Sequence, residues 1–458
     1  METELPASWD CFDTLVARRR CSPHSIFWSM AYHTGRSGGE NFVGDRCRAE
    51  QEAGHSLDTI YDRLKLNRKL TTEECDRLKQ LEIETEIEHC IPINKNMLRV
   101  KDGDYVVSDM YLPAWVLRAM LRKCGLKANV NIVVGQNIKG SGHIWGSLPA
   151  FSVHTGDNGH ADVNSPVAHG RIAELSTEHI MTELELAVGN ELAMLMRAVR
   201  LANPYPLCSE QELAWREFSQ ITIPMMVSFA AALPAAGLCF TNRDCTHLQK
   251  IHERLHGTRN ASYEGSRFAL LNPTKAYVEH VRQNALGKIL IDVQGWGNHP
   301  RWFMRKHFDK QIEMMYYHGQ QGKGMKVFHG ANSDAVEKVN AVSYGSLRKW
   351  PTRWQSEQST AVGAVFEECS SFCANEMKFF PELSFKTKLC GSSWSEWNPQ
   401  FLYFPASVFG KIHAAMHASP ALGIITHHTC HWGSGPLSAV NRGLDYNFDP
   451  DNYTPPEE

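Results

Sequence analysis

The stretch Ala7-Ser8-Trp9-Asp10-Cys11-Phe12-Asp13-Thr14-Leu15 runs from a short apolar strand signal straight into two carboxylates and a hydroxyl. A strand that ends on acids places them at its C-terminal edge, where open parallel α/β sheets gather their ligands. Arg18, Arg19 and Arg20 follow and read as a surface turn.

Outward from this point the same pattern recurs. Tyr105-Val106-Val107 reads as a buried strand ending in Ser108-Asp109, and Val116 to Lys123 as an amphipathic helix stopped by Gly125. Val130 to Val134 is a further apolar strand, followed by Lys139 in a Gly/Ser-rich loop. Phe151 to His154 is another, followed by Thr155-Gly156-Asp157-Asn158. This alternation predicts a Rossmann-like parallel sheet with helices on both faces. From Ser22 to Leu98 the periodicity is helical instead, so residues 21–98 form a helical insertion between two parts of a sheet domain, 1–20 and 99–176. Glu82, Glu84, Glu86 and Glu88 read as a solvated helix face.

The chain has 458 residues, and about 150 residues per domain leaves room for at least one more. Beyond Thr177 an apolar-rich helical stretch reaches about Leu201 before Asn203-Pro204-Tyr205-Pro206 breaks it, so 177–210 is a helical linker. Strand signals at Leu238–Thr241, Ile289–Asp292 and Met325–Phe328, separated by helical windows, predict a second α/β domain over 211–440, with a mobile tail at 441–458. Phe218 to Asn242 carries no charge between Phe218 and Thr241, but Pro224 and Pro234 favour a buried helix from about Pro224 to Leu233, a turn and a strand over a membrane span.

A formal net charge of −3 leaves no global basic field for nucleic acid or an anionic membrane. Thirteen cysteines, an odd number with no C-x-x-C pair, and a start without a basic then apolar leader predict a reduced cytoplasm.

Strand ends carrying Asp10 with Thr14, Ser108, Lys139, and Asp157 with Asp162 would meet at one sheet edge. Carboxylates, hydroxyls and one ammonium are what cation-assisted phosphoryl transfer needs: hard oxygen ligands, donors to phosphate oxygens and a fixed positive charge. In order and type these residues resemble the four signature motifs of the haloacid dehalogenase-like hydrolase superfamily, over about the first 175 residues. The helical insertion is similar to that family's C1-type cap. The wording Phe12-Asp13-Thr14-Leu15 and Ser108-Asp109-Met110-Tyr111-Leu112 is similar to predicted bacterial members associated with polysaccharide biosynthesis.

The resemblance implies a Mg²⁺-dependent phosphohydrolase or phosphotransferase acting on a small phosphorylated metabolite, with a sugar phosphate the favoured class. Asp10 would be the nucleophile that forms an aspartyl-phosphate. Thr14, Ser108 and Asp109 would contact the substrate, and Lys139 would offset negative charge. Mg²⁺ would be held by Asp10, the backbone carbonyl of Phe12, Asp157 and Asp162. The departure from the family is Phe12, which stands where the usual general acid does; Asp13 reads first as a cap of the turn or the following helix and could substitute only if the turn redirects it, and Glu50 in the insertion is another candidate. Two other readings follow from it. One is a degraded module that only binds a phosphorylated ligand, with function in the second domain. The other is carbon-centred dehalogenation without metal.

The second domain is less legible. Asn242-Arg243-Asp244 and Gly295-Trp296-Gly297-Asn298 form polar strand-to-helix turns, and Arg267 and Arg301 add charge. The pattern is faintly similar to phosphoribosyltransferases, and a sugar-transfer role is a further alternative. His413, His417, His427, His428, Cys430 and His431 fit no named zinc spacing and read as chance clustering. Cys369 and Cys373 read as core thiols, and Trp394, Trp397, Phe401, Tyr403 and Phe404 as core aromatics.

Overall fold

The computed structural model describes residues 5–33, 39–189, 191–242, 245–295, 297–319, 325–327, 347–349, 352–353 and 361–385. The histidine cluster at 413–431, the aromatic cluster at 394–404, Arg243, Asp244, Trp296 and the tail lie outside them. The fold is α/β, built on two parallel sheets. The chain divides into two units: residues 1–181 with 201–206, and 182–200 with 207–458. The stretch read as a linker, 177–210, is thus shared between the two.

In the first unit the strand before Asp10 is β1 (Ser8–Trp9). The pairs that enclose it are β4 (Tyr105–Ser108) and β6 (His154–Gly156), with β5 (Asn131–Val134) and β7 (Ala173–Leu175) outside them. The order β5-β4-β1-β6-β7 is parallel throughout. Although only two residues long, β1 is tied down by a buried side chain. Trp9 Nε1 donates to Asp104 Oδ2 at 2.9 Å, and the backbone N–H of Ala7 donates to Asp104 Oδ1 at 2.8 Å. Chain order reverses direction between β1 and β6, and that switch point opens the crevice where doubly wound sheets bind ligands.

The expected strand Phe151–His154 is shifted toward Gly156. Phe151 packs with Trp145 and Leu148 in a satellite cluster, while Thr155 and Gly156 continue the ladder. The shift brings Asp157 immediately after the strand.

Residues 21–98 hold four helices, α1 (His24–His33), α2 (Gly39–Ala53), α3 (Leu57–Arg68) and α4 (Thr72–His89). Capping boxes start α3 at Ser56 with Thr59 and α4 at Thr71 with Glu74, so the sequence itself fixes where each begins. The chain leaves and returns through an antiparallel pair, β2 (Val16–Arg18) and β3 (Cys90–Pro92). Two expectations fail here. Arg18 and Arg19 are buried in this pair instead of marking a surface turn: Arg18 grips Glu86 through Nε and Nη2 at 3.0 and 2.8 Å, and Arg19 donates to the carbonyls of Glu88 and Cys90. The glutamate run is no uniform solvated face either, because Glu82 and Glu86, one turn apart, point inward while Glu84 and Glu88 are exposed. Glu82 pairs with Arg46 through two 2.7 Å bonds, and the Arg46 guanidinium lies 4.5 Å from the Phe27 ring and 4.9 Å from that of Tyr111.

Helix α5 (Asn94–Met97) follows β3, and α6 (Ala114–Lys123) buries Val116, Leu117, Met120 and Leu121 before Gly125 ends it at φ +96°.

In the second unit the sheet order is β12-β11-β10-β8-β9, again all parallel. Its strands are β8 (Leu238–Thr241), β9 (Ala261–Tyr263), β10 (Ile289–Gly295), β11 (Met314–Gly319) and β12 (Met325–Val327). Helix Ile223–Ala232 is buried at all ten positions, and Gly237 turns the chain into β8 at φ +80°. Among the described residues no helix is long and apolar enough to cross a membrane. Cys369 and Cys373 are fully buried.

Candidate functional site

The loop after β1 is folded tightly on itself. Leu15 N and Val16 N both donate to the Cys11 carbonyl, at 2.9 and 3.0 Å, and Asp13 N donates to Val16 O at 2.6 Å. Asp13 takes φ +54°, a conformation Asp tolerates better than most residues. Asp10 itself is 5% exposed and its N–H is held by Thr155 O across the switch point. Thr14 is fully buried, and its hydroxyl has no partner in the protein. A buried hydroxyl without a protein partner costs stability unless something else meets it. Ser108, at the end of β4, is also buried.

Lys139 reaches the same place from the loop after β5. Its Nζ donates to Asp10 Oδ1 and to Asp162 Oδ1, both at 2.6 Å. That loop is shaped by its neighbours. Asp109 accepts the N–H groups of Lys139 at 2.9 Å and Gly140 at 3.3 Å, while Ser165 Oγ donates to Lys139 O at 2.7 Å. Asp109, expected to touch substrate, is therefore engaged in aiming Lys139.

Asp162 sits in a short π-helical turn, Gly159–Asn164, capped by Asn158. Its Oδ2 accepts from Asn158 N at 3.0 Å. Oxygens of Asp10, Asp157 and Asp162 all lie within 4.8 Å of one another, so this group can hold a metal ion. The carbonyl of Phe12, the other expected ligand, belongs to the loop two residues after Asp10.

Sequence reasoning missed His154. Fully buried, it offers Nε2 to Asp162 Oδ1 at 3.2 Å and Nδ1 to Ser8 Oγ at 2.9 Å. The carboxylate accepts only, so Nε2 donates to Asp162. The signal was a histidine inside an otherwise buried strand.

The electrostatics are those of three acids sharing one cation. Burial raises the Asp10 carboxyl to about 7 against the pull of Lys139, with the charges of Asp162 and Asp157 adding to the rise. Burial also raises Asp157 to about 6, helped by the neighbouring charges of Asp13 and Asp162. Asp162 alone is brought down, to about 2, because its bond from His154 and the Lys139 ammonium outweigh its burial. Lys139 stays charged, since Asp10 and Asp162 outweigh the desolvation that would deprotonate it. One ammonium cannot satisfy three carboxylates, and an all-oxygen donor set with residual negative charge fits a hard divalent cation.

The chain matches no protein-family model and no curated protein. The geometry of the site is thus what a functional reading has to rest on. Phe12, the departure from the family pattern, has its ring 4.3 Å from the Arg18 guanidinium, which Glu86 fixes in turn.

Proposed function

We propose that the first unit is a haloacid dehalogenase-like, Mg²⁺-dependent phosphohydrolase or phosphotransferase acting on a small phosphorylated metabolite, with a sugar phosphate the favoured class. The observation that carries this reading is the convergence of Asp10, Asp157, Asp162 and the Lys139 ammonium at the switch point of a parallel sheet. Asp10 and Asp157, with Asp162 and the Phe12 carbonyl, would hold Mg²⁺, which when bound supplies charge stabilisation for the phosphoryl oxygens. Lys139 pulls the Asp10 carboxyl toward its ionised form against its burial, and aims it. An Asp10 oxygen attacks phosphorus, the ester P–O bond breaks, and the departing oxygen takes a proton; water or a second acceptor then removes the phosphoryl group from Asp10. Thr14, with its unmatched hydroxyl, and Ser108 bind the phosphoryl oxygens. Every cysteine among the described residues is a free thiol, which supports a reducing, cytoplasmic setting.

One specific observation favours a second reading, a module that binds a phosphorylated ligand without turning it over. The position of the usual acid is filled by Phe12, stacked under a buried arginine. Phosphate release from a panel of sugar phosphates and nucleotides, with Mg²⁺ and with chelator, separates the two. Metal-dependent release by the native chain that Asp10→Asn abolishes is the expected result. Release by neither, with retained binding of a phosphate analogue, overturns catalysis in favour of the binding module.

A further inference from the structure

We propose that Cys90 and Cys124 form a reversible disulfide when the protein meets a peroxide, making the pair a covalent-modification site outside the acidic cluster. The inference stands apart from the phosphoryl-transfer reading. The Cys90 and Cys124 sulfurs are 3.5 Å apart, in contact and with no atom between them. A disulfide needs about 2.05 Å, so closure asks for a movement of roughly 1.5 Å. The two residues come from different layers: Cys90 opens β3, where the chain returns from the helical insertion, and Cys124 caps α6. Cys90 is 1% exposed, whereas Cys124 is half-buried and gives a small oxidant a way in.

The surroundings activate one sulfur of the pair. Lys123 Nζ lies 4.0 Å from Cys90 Sγ while donating to Cys90 O at 2.9 Å and Glu88 O at 2.8 Å, so an ammonium is fixed beside the thiol. The hydrogen bond with Cys124 pulls the Cys90 thiol below its ordinary range, and the charges of Lys123 and Arg19 add to it. The thiolate is the nucleophile in sulfur oxidation. Cys90 sulfur attacks hydrogen peroxide, the O–O bond breaks, and Cys90 becomes a sulfenic acid as hydroxide leaves. Cys124 sulfur then attacks Cys90 sulfur; the S–S bond forms, the S–O bond breaks, and the departing hydroxyl leaves as water with the Cys124 proton. Two thiols and one peroxide give one disulfide and two waters. The product staples β3 to α6 and so fixes the returning end of the helical insertion to a helix that flanks the central sheet.

Peptide mass mapping of the intact protein after hydrogen peroxide, then alkylation, tests this. The expected result is a Cys90–Cys124 cross-linked peptide, a mass loss of about 2 Da, two fewer alkylated thiols than the 13 present, and full reversal by dithiothreitol. In Cys124→Ser the cross-link disappears and Cys90 is trapped as a dimedone adduct. Recovery of Cys90 and Cys124 both alkylated after peroxide, or joined to other cysteines, overturns the proposal. The native map alone decides if that variant does not fold, which circular dichroism would show.

Discussion

Gly156 faces Asp162 so closely that a methyl group on it would lie 2.3 Å from the Asp162 Cγ. No side chain is smaller than glycine's hydrogen, so the end of β6 and the acidic turn are fitted to each other at this one position. Gly156→Ala should displace Asp162 and cost roughly 1–3 kcal/mol in denaturant unfolding, with Mg²⁺ affinity weakened in parallel. Native stability in that variant would refute the fit.

Lys139→Met should expose the same cluster's dependence on one cation. Removing the ammonium leaves Asp10 and Asp162 without the partner each meets at 2.6 Å, a loss expected to cost about 3–5 kcal/mol. Because the acids then lose that counter-charge, added Mg²⁺ should raise the thermal midpoint of the variant more than that of the native chain. Equal shifts in the two would argue against metal binding by these carboxylates.

The two kinds of glutamate in α4 should separate cleanly. Glu82→Ala takes from the fully buried Arg46 its two-bond carboxylate partner, leaving it the half-exposed Glu50, and should cost about 3–5 kcal/mol, while Glu84→Ala, on the exposed face, should stay within about 0.5 kcal/mol. Urea titrations of both variants provide the comparison.

Acid should weaken the second unit through His252. Its Nε2 donates to Pro234 O at 2.9 Å and its Nδ1 accepts from Asn260 at 3.1 Å, so the neutral ring is fully satisfied. Burial, with the nearby His256, lowers it to about 3. Between that value and the unfolded value near 6.5 the unfolded chain binds more protons, so stability is complete above pH 6.5 and falls as pH drops, by about 2 kcal/mol at pH 5. His252→Gln should flatten the slope over this range; a profile parallel to that of the native chain would remove His252 from the account.

If the first unit transfers phosphoryl groups as proposed, Asp13 is a better candidate than Glu50 for the acid that Phe12 displaces. The charge of Asp13 acts on Asp157, whereas Glu50 is committed to Arg46 at 2.9 Å. Asp13→Asn should lower kcat for phosphate release by roughly 10²–10⁴-fold and Glu50→Gln by less than about tenfold. The opposite ranking would transfer the role to the helical insertion.

Much of the first unit was legible because strand ends are written in short range: an apolar run followed by Asp10, Ser108 or Asp157 announces both the strand and the edge it ends on. The helical insertion was legible from its period. What escaped was inward-facing charge. Arg18, Glu82 and Glu86 look like surface residues until each finds its partner, 36 or 68 residues away along the chain, and no local pattern records that pairing. His154 escaped for the same reason, since its partners Ser8 and Asp162 flank it from separate segments. In the second unit β9, Ala261-Ser262-Tyr263, carries no apolar run, and β11, Met314–Gly319, has two tyrosines but no β-branched residue, so two of five strands went unread.

The two-residue strand β1 also dictates a delay. Ser8 is bonded on one side by the segment at Tyr105 and on the other by that at His154, so its ladder stays open until both have been made. At ribosomal rates of about 5–20 residues per second this amounts to roughly 7–30 s during which Trp9, Cys11 and Leu15 are synthesised but unsheltered. The segment that carries Asp10 is thus made well before the strands that enclose it, and a nascent chain halted before His154 would present this apolar segment to chaperones.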